Sequence, residues 1–433
     1  MRTTRSAIAL ALASAAGLAV PALAGPFTAG NIVVVRVSNA GTSGSGALRL
    51  MEYTTAGADT GNFVDLPAAG ASALCLPVLT NHDGHLHLSG NAQSLVLAAY
   101  AQAPDSSPAG DPSQYTAAQV NRVIAFISAT GAIDQTTRLT ETCDNTSIRG
   151  AFSTDGTSIW IAGDNASGAT PSGGLRYTTR GASTSVDLSQ VQSLGGAQAP
   201  DNIRDVGAYA GQLFDCSGSN ATVGKGVFSV GTGLPTSGSQ TLTSITSANT
   251  AMSTSGFAIL DLDSTVPGAD VLYAGTSAGG IGLHKFILTG GSWVDKGFIA
   301  FPSDVDQVSA RKNANGSVTI LAGNTSGVWI LTDSTPLTGT LSGSAPAPSI
   351  VPTDSTFQLA GVDFAPQPAT ASCYANCDGS TGTPALTAAD FTCFLTKFRA
   401  SDSYANCDGS TGSPSLTAAD FTCFLTKFRA GCP

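Results

Sequence analysis

Two short stretches late in the chain place oxygen-bearing side chains in a pattern suited to a hard cation. In Asn376-Cys377-Asp378-Gly379-Ser380 the side chains of Asn376, Asp378 and Ser380 alternate, and Asp390 follows beyond a glycine-containing turn. The pattern returns as Asn406, Asp408, Ser410 and Asp420. Calcium takes about six to eight oxygen ligands. A loop that offers every second side chain, then a carboxylate from the first turn of a helix, supplies several of them. Each loop carries only two carboxylates, so the spacing predicts weak Ca2+ binding. A second reading stays open, in which Asp390 and Asp420 only cap helices that disulfides staple in place.

Elsewhere the chemistry is thinner. Asn81-His82-Asp83-Gly84-His85-Leu86-His87 holds three of the four histidines, and on a strand His85 and His87 share a face. Zinc uses such clusters, but no fourth ligand is visible, and a turn leading into a polar strand edge is the simpler reading. Asp261 with Asp263, and Asp304 with Asp306, are carboxylate pairs at strand spacing. Glycoside hydrolysis needs two carboxyls about 5–10 Å apart. Solvated turn ends are the commoner role for such pairs, and Glu52 and Glu141 are the only glutamates. Cys75 and Cys143 flank one predicted sheet and are a candidate disulfide, leaving Cys216 as a buried thiol. No catalytic residue is assigned.

The elements that must hold these groups are legible. Thr387 is a plausible N-cap with Asp390 three residues on, and Phe391, Phe394, Leu395 and Phe398 line one helical face. Thr417, Phe421, Phe424, Leu425 and Phe428 repeat it. From residue 30 to about 366, apolar runs of four to seven alternate with Gly, Asn, Asp and Ser, which is strand and turn punctuation. Four-strand cycles are predicted over 85–139, 148–188, 203–245, 257–299 and 305–341. A sixth is shared between the ends, with 359–364 as its inner strand and 32–37, 48–53 and 63–66 completing it. The expected fold is mainly β, a six-bladed β-propeller followed by a small helical module. Seven blades or a pair of β-sandwiches are the alternatives.

The tail is one unit written twice: 404–430 repeats 374–400 with only Thr383 to Ser413 and Ala385 to Ser415 changed. On this tandem loop and helix, ending in Gly431-Cys432-Pro433, it resembles dockerin modules of the cysteine-rich form. That resemblance implies calcium in both loops and docking onto a cohesin-like or cell-surface receptor. The loops depart from the family pattern: they open on Asn, carry Ser at the third ligand position and are lengthened around Thr383-Pro384-Ala385. Six of the nine cysteines lie here. Repeat symmetry favours Cys377 with Cys393 and Cys407 with Cys423, leaving Cys373 and Cys432 to clasp the ends. In the body, Gly30-Asn31-Ile32-Val33, Glu52-Tyr53-Thr54, Asn121-Arg122-Val123, Ile148-Arg149-Gly150-Ala151 and Gly361-Val362-Asp363-Phe364 resemble landmarks of a family of secreted bacterial propeller-like proteins. The likeness spans nearly all of 30–366 and implies a fold but no activity.

Residues 1–24 read as a signal peptide: Arg2 and Arg5, an apolar run over 7–20, and Ala22-Leu23-Ala24 as the cleavage site. The expected organisation is then a propeller over 25–366, a linker over 367–372 and the dockerin-like module over 373–433, secreted or at the cell surface. No other stretch is long and apolar enough to span a bilayer. The formal net charge of −10 argues against nucleic acid and anionic lipid. The leading expectation is an exported interaction or scaffold protein anchored or assembled through its tail, with carbohydrate as a further partner. The alternatives are an extracellular polysaccharide-degrading enzyme recruited by its dockerin, or a structural cell-envelope protein.

Overall fold

The computed structural model describes residues 27–38, 44–78, 82–105, 110–164, 172–188, 190–191, 202–218, 224–246, 252–368, 374–378, 380 and 386–431. The expected signal peptide, most of the linker, Asn81, Thr383-Pro384-Ala385, Cys373 and Cys432 lie outside them.

Six sheets are arranged as the blades of a propeller, antiparallel except where Gln190–Val191 pairs parallel to Gln240–Ser244. One orders Leu86–Leu88, Ser94–Tyr100, Arg122–Ser128 and Ile133–Leu139 from the axis outwards. The next three begin at the axis with Ile148–Ser153, Ile203–Tyr209 and Ser253–Leu260, and a three-stranded sheet begins with Gln307–Lys312. The sixth is the expected composite: Phe357–Phe364 is innermost, followed by Ile32–Ser38, Leu48–Tyr53 and Asp59–Asp65. There Ile32 faces Phe364 and Val34 faces Val362, so the two ends of the body close the ring. The second strands are aliphatic on both faces because each sheet is covered on both sides; Leu95, Val96, Leu97 and Ala98 are fully buried. The three-stranded sheet carries only an isolated bridge, Val328 with Ile350, where a fourth strand would pair, and Leu341 and Ser344 instead pair with Gly297 and Ala300 of the preceding blade.

Among the described residues no ladder joins one inner strand to the next; isolated backbone bonds, such as His85 N to Arg149 O at 3.1 Å and Gly90 N to Ser153 O at 2.8 Å, and polar side chains do it. Gln307 Oε1 accepts from Leu86 N at 3.0 Å and Val362 N at 2.9 Å, while its Nε2 donates to Leu86 O. One amide thus ties three inner strands. Ser309 Oγ donates to Val362 O at 3.1 Å, and Asp363 Oδ2 accepts from Leu88 N at 2.6 Å. The strands meet so closely that Gly361 admits no side chain: a Cβ there would sit 2.3 Å from Gly84 O.

In the tail, helices Ala388–Arg399 and Ala418–Ala430 each start with a full capping box, Thr387 with Asp390 and Thr417 with Asp420. Phe394 and Phe424 stack at 4.2 Å between the helices. Tyr374 and Tyr404 stack at 4.8 Å, and each hydroxyl donates to the other's backbone carbonyl. Cys377–Cys393 and Cys407–Cys423 are disulfides, as repeat symmetry predicts.

The expected Cys75–Cys143 bridge is not formed; both are free, buried thiols. Cys75 is held by a backbone bridge to Tyr100. Cys143 sits in a turn at φ 52°, with Sγ where a Cβ on Gly163 would lie. Cys216 is a buried thiol whose Sγ donates to Thr254 O at 3.8 Å.

Gln307→Ala strands two buried N–H groups and a carbonyl, so urea unfolding should show a loss of about 3 kcal/mol. A loss below about 0.5 kcal/mol would contradict the stitching role.

Candidate functional site

The inner strands run side by side in one direction and deliver their inward residues to a common axis. His87 comes from Leu86–Leu88 and His85 from the residue before it; both point inward. Asp205 comes from Ile203–Tyr209, 118 residues away. His87 Nε2 lies 2.7 Å from Asp205 Oδ1, and His85 Nδ1 lies 3.4 Å from the same oxygen. The three residues are 8%, 0% and 2% exposed, in the order His87, Asp205, His85. Asp205 is fixed by Val206 N at 2.9 Å on Oδ1 and Phe257 N at 3.4 Å on Oδ2. Burial alone would raise the Asp205 carboxyl; the two imidazoles outweigh it and hold it far below the usual range. Burial likewise opposes the charged His87, and the Asp205 carboxylate overcomes it, holding His87 above the ordinary imidazole value.

Register shifts recur beside these residues, between Ile148 and Gly150 and between Ile203 and Asp205. Each leaves one residue, Arg149 and Arg204, out of the ladder at the N-terminal end of its strand. That end of the axis is nearly closed, a void of about 10 Å³ among Asp83, His85, Asp306, Gln307 and Asn324. Asp306 is buried there, with Oδ1 3.2 Å from His82 Nδ1. Burial, then the neighbouring Asp304 charge, pushes its carboxyl well above the usual range against the pull of Arg204 and Arg149. Asp83 is also raised by burial and accepts from Tyr100 Oη at 2.8 Å.

The C-terminal end is open. A cavity of about 360 Å³ is lined by His87, Phe152, Phe257, Arg311, Asp363 and Phe364, among others. Arg311 stacks over Phe364 at 4.2 Å and donates to Gly30 O at 3.3 Å. Among the described residues no carboxylate lies within ion-pair distance of it. Asp363 accepts backbone N–H groups on both oxygens, from Leu88 and Phe364.

The two carboxylate pairs fare differently. Leu262 N and Asp263 N donate to Asp270 at 3.0 and 2.6 Å, and Asp263 accepts from Thr265, so Asp261 and Asp263 belong to a hairpin turn. Asp304 and Asp306 do reach the axis, but at its closed end.

In the tail, Asn376 Nδ2 donates to Ser380 O at 2.7 Å, which fixes the amide and leaves Oδ1 buried with no donor. Asn406 repeats this with Ser410 O at 2.8 Å. Asp378 N donates to Asp390 Oδ1 at 3.2 Å, Asp378 Oδ1 accepts from Ser380 N at 2.9 Å, and Asp390 Oδ2 accepts from Thr387 N at 2.8 Å. Asp408 and Asp420 match them. Each loop therefore gathers its Asn and both Asp. Ser410 Oγ instead donates to Ser415 O.

Asp205, Gln307 and Arg311 carry no local sequence signal; only their place on an inner strand marks them.

No family model and no curated protein matches the chain. Among solved structures it is similar to a periplasmic gluconolactonase of Pseudomonas aeruginosa, at 11% identity over 78% of this chain and 99% of that one, with a TM-score of 0.42. It is also similar to a glucose dehydrogenase, at 11% identity over 69% and 95%, TM-score 0.35. A soluble aldose sugar dehydrogenase of Escherichia coli gives 10% identity over 74% and 92%, TM-score 0.34. Likenesses this distant carry no argument about chemistry. Among the described residues no helix is long and apolar enough to cross a membrane.

The raised Asp306 sets a pH dependence. A carboxyl whose folded pKa is raised favours the fold below its ordinary value, about 4, and that contribution is lost as pH rises through the folded value. Asp306→Asn keeps the neutral shape, so it should raise the urea midpoint over wild type at pH 7 and lose that advantage near pH 4. A difference that is flat with pH would remove Asp306 as the source.

Proposed function

We propose that this protein is an exported binding propeller, displayed through a calcium-loaded docking module at its C-terminal end. The observation that carries the reading is the pair of buried, donorless oxygens, Asn376 Oδ1 and Asn406 Oδ1, at equivalent points of two loops. A buried acceptor with no donor is unfavourable unless something else supplies positive charge. Asp378 with Asp390, and Asp408 with Asp420, stand in the same loops and would hold the cation with it. Bound calcium would tie each loop to the first turn of the following helix. Asp390 and Asp420 keep their capping role as well, so the two readings of these residues are compatible.

The docking side of the proposal rests on Leu395 and Leu425. They occupy matching positions on the two helices and are 37% and 42% exposed, although their helices bury a phenylalanine one residue earlier. Two equivalent apolar points on a symmetric pair of helices suit a receptor groove.

For the body, the open axial cavity favours binding over hydrolysis. Phe152, Phe257, Phe364 and the Arg311 guanidinium are among the groups that line it, which suits a sugar or sugar acid. Asp363 is the one carboxylate lining it, and both its oxygens are engaged by the backbone.

Calorimetry of the full chain with calcium should give two equivalents of uptake, lost in Asp378→Ala/Asp408→Ala. No heat with the wild type would sink the calcium reading. The calcium-loaded chain should be retained on the surface of its producing cells, and Leu395→Asp/Leu425→Asp should not. Equal retention of the two would remove the helical face as the docking surface.

A further inference from the structure

We propose that His85, His87 and Asp205 form a site for one divalent transition-metal ion of the zinc class at the axis of the propeller. The donor set is two imidazole nitrogens and one carboxylate oxygen, a combination that suits zinc, cobalt or nickel and is a poor match for calcium. The three donor atoms lie within 4.8 Å of one another. In a tetrahedral zinc site with bonds of about 2.0–2.1 Å, ligand atoms sit roughly 3.3 Å apart. The observed separations of 2.7 and 3.4 Å from Asp205 Oδ1 fall on either side of that value. Sub-ångström adjustment of the rings would admit an ion.

The state of His85 is what points to a ligand. It is 2% exposed, yet its Nε2 has no hydrogen-bond partner and its Nδ1 faces only Asp205 Oδ1 at 3.4 Å. Its side chain lies over Gly150, where an added Cβ would stand 3.2 Å from His85 Cβ and 3.5 Å from Asp205 Oδ1. A buried imidazole whose Nε2 is left unpartnered is poorly accounted for by the fold alone. The surroundings also hold the other ligands in place, as hydrogen bonds and packed rings behind the ligands do around metals. Asp205 is oriented by Val206 N and Phe257 N, and the His87 ring meets the Phe152 ring edge-on at 6.2 Å between centroids.

Three protein ligands leave a position over. His87 lines the open cavity and His85 the closed end, so the ion lies between the two and is reached from the open side. Water, or an oxygen of whatever the cavity holds, would complete the shell. The cluster contains no residue of the tail, whose loops offer only oxygen donors, and the proposal stands or falls apart from the calcium reading.

The test uses the full chain, stripped by chelator, saturated with calcium and then titrated with Co2+. One equivalent should bind and give the intense visible bands of a four-coordinate nitrogen and oxygen site, which Zn2+ then bleaches. His85→Ala and His87→Gln should each abolish the bands while keeping the far-ultraviolet dichroism of the wild type. A wild type that retains no cobalt after gel filtration overturns the proposal, and so do variants that keep the same bands. If a variant fails to fold, X-ray absorption at the cobalt edge of the wild type decides: two imidazoles in the shell support the site, and an oxygen-only shell removes it.

Discussion

Radial sheets share no ladder with one another, so a propeller must solve at its axis a problem that an ordinary sheet never meets. Backbone groups of six inner strands face one another at the axis with no ladder among the described residues to pair them. Here the solution is a small set of polar side chains, with the Gln307 amide between the first, fifth and sixth blades along the axis and Asp205 linking its own strand to those of His87 and Phe257. The candidate site of the body sits on that arrangement. The same inward positions that stitch the blades also present the histidines, the cavity floor and the buried carboxyls.

The blades were readable because burial on both faces writes itself locally, as short aliphatic runs between glycine-rich turns. The joining of Ile32–Ser38 to Phe357–Phe364 was readable for the same reason: each is an apolar strand left over at an end of the body. The helices announced themselves through Thr387 and Asp390, and the repeat itself selected the two disulfides. What could not be read was convergence. Asp205 stands in an unremarkable Arg204-Asp205-Val206, and its partnership with His87 exists only because two blades face the same axis. The irregularities at Arg149 and Arg204 leave no sequence signature either, since a bulge changes which residues pair and not which residues are present. Cys75 and Cys143 show the reverse error. Proximity in the blade plan suggested a bond that these two buried thiols do not make.

The tail reaches its order by a different route. Its two units bury few side chains, and they compensate by symmetry: each supplies the other's missing half. Tyr374 and Tyr404 exchange hydroxyl-to-carbonyl bonds, and Phe394 meets Phe424. A small module gains most from such reciprocal contacts and from short-range disulfides, because its core alone is thin.

Closing the ring with strands from opposite ends of the body also sets an order of events. The strand Ile32–Ser38 is made early, yet the partner on its axial side, Phe357–Phe364, emerges more than three hundred residues later. Until then one edge of a highly apolar strand stands open, a template for pairing with the wrong chain. Contacts of such sequence separation form slowly, whereas the tail, built from neighbours about thirty residues apart, can assemble by itself. The ring can therefore shut only once nearly the whole body has been made, and the risk of misassembly is concentrated in that interval.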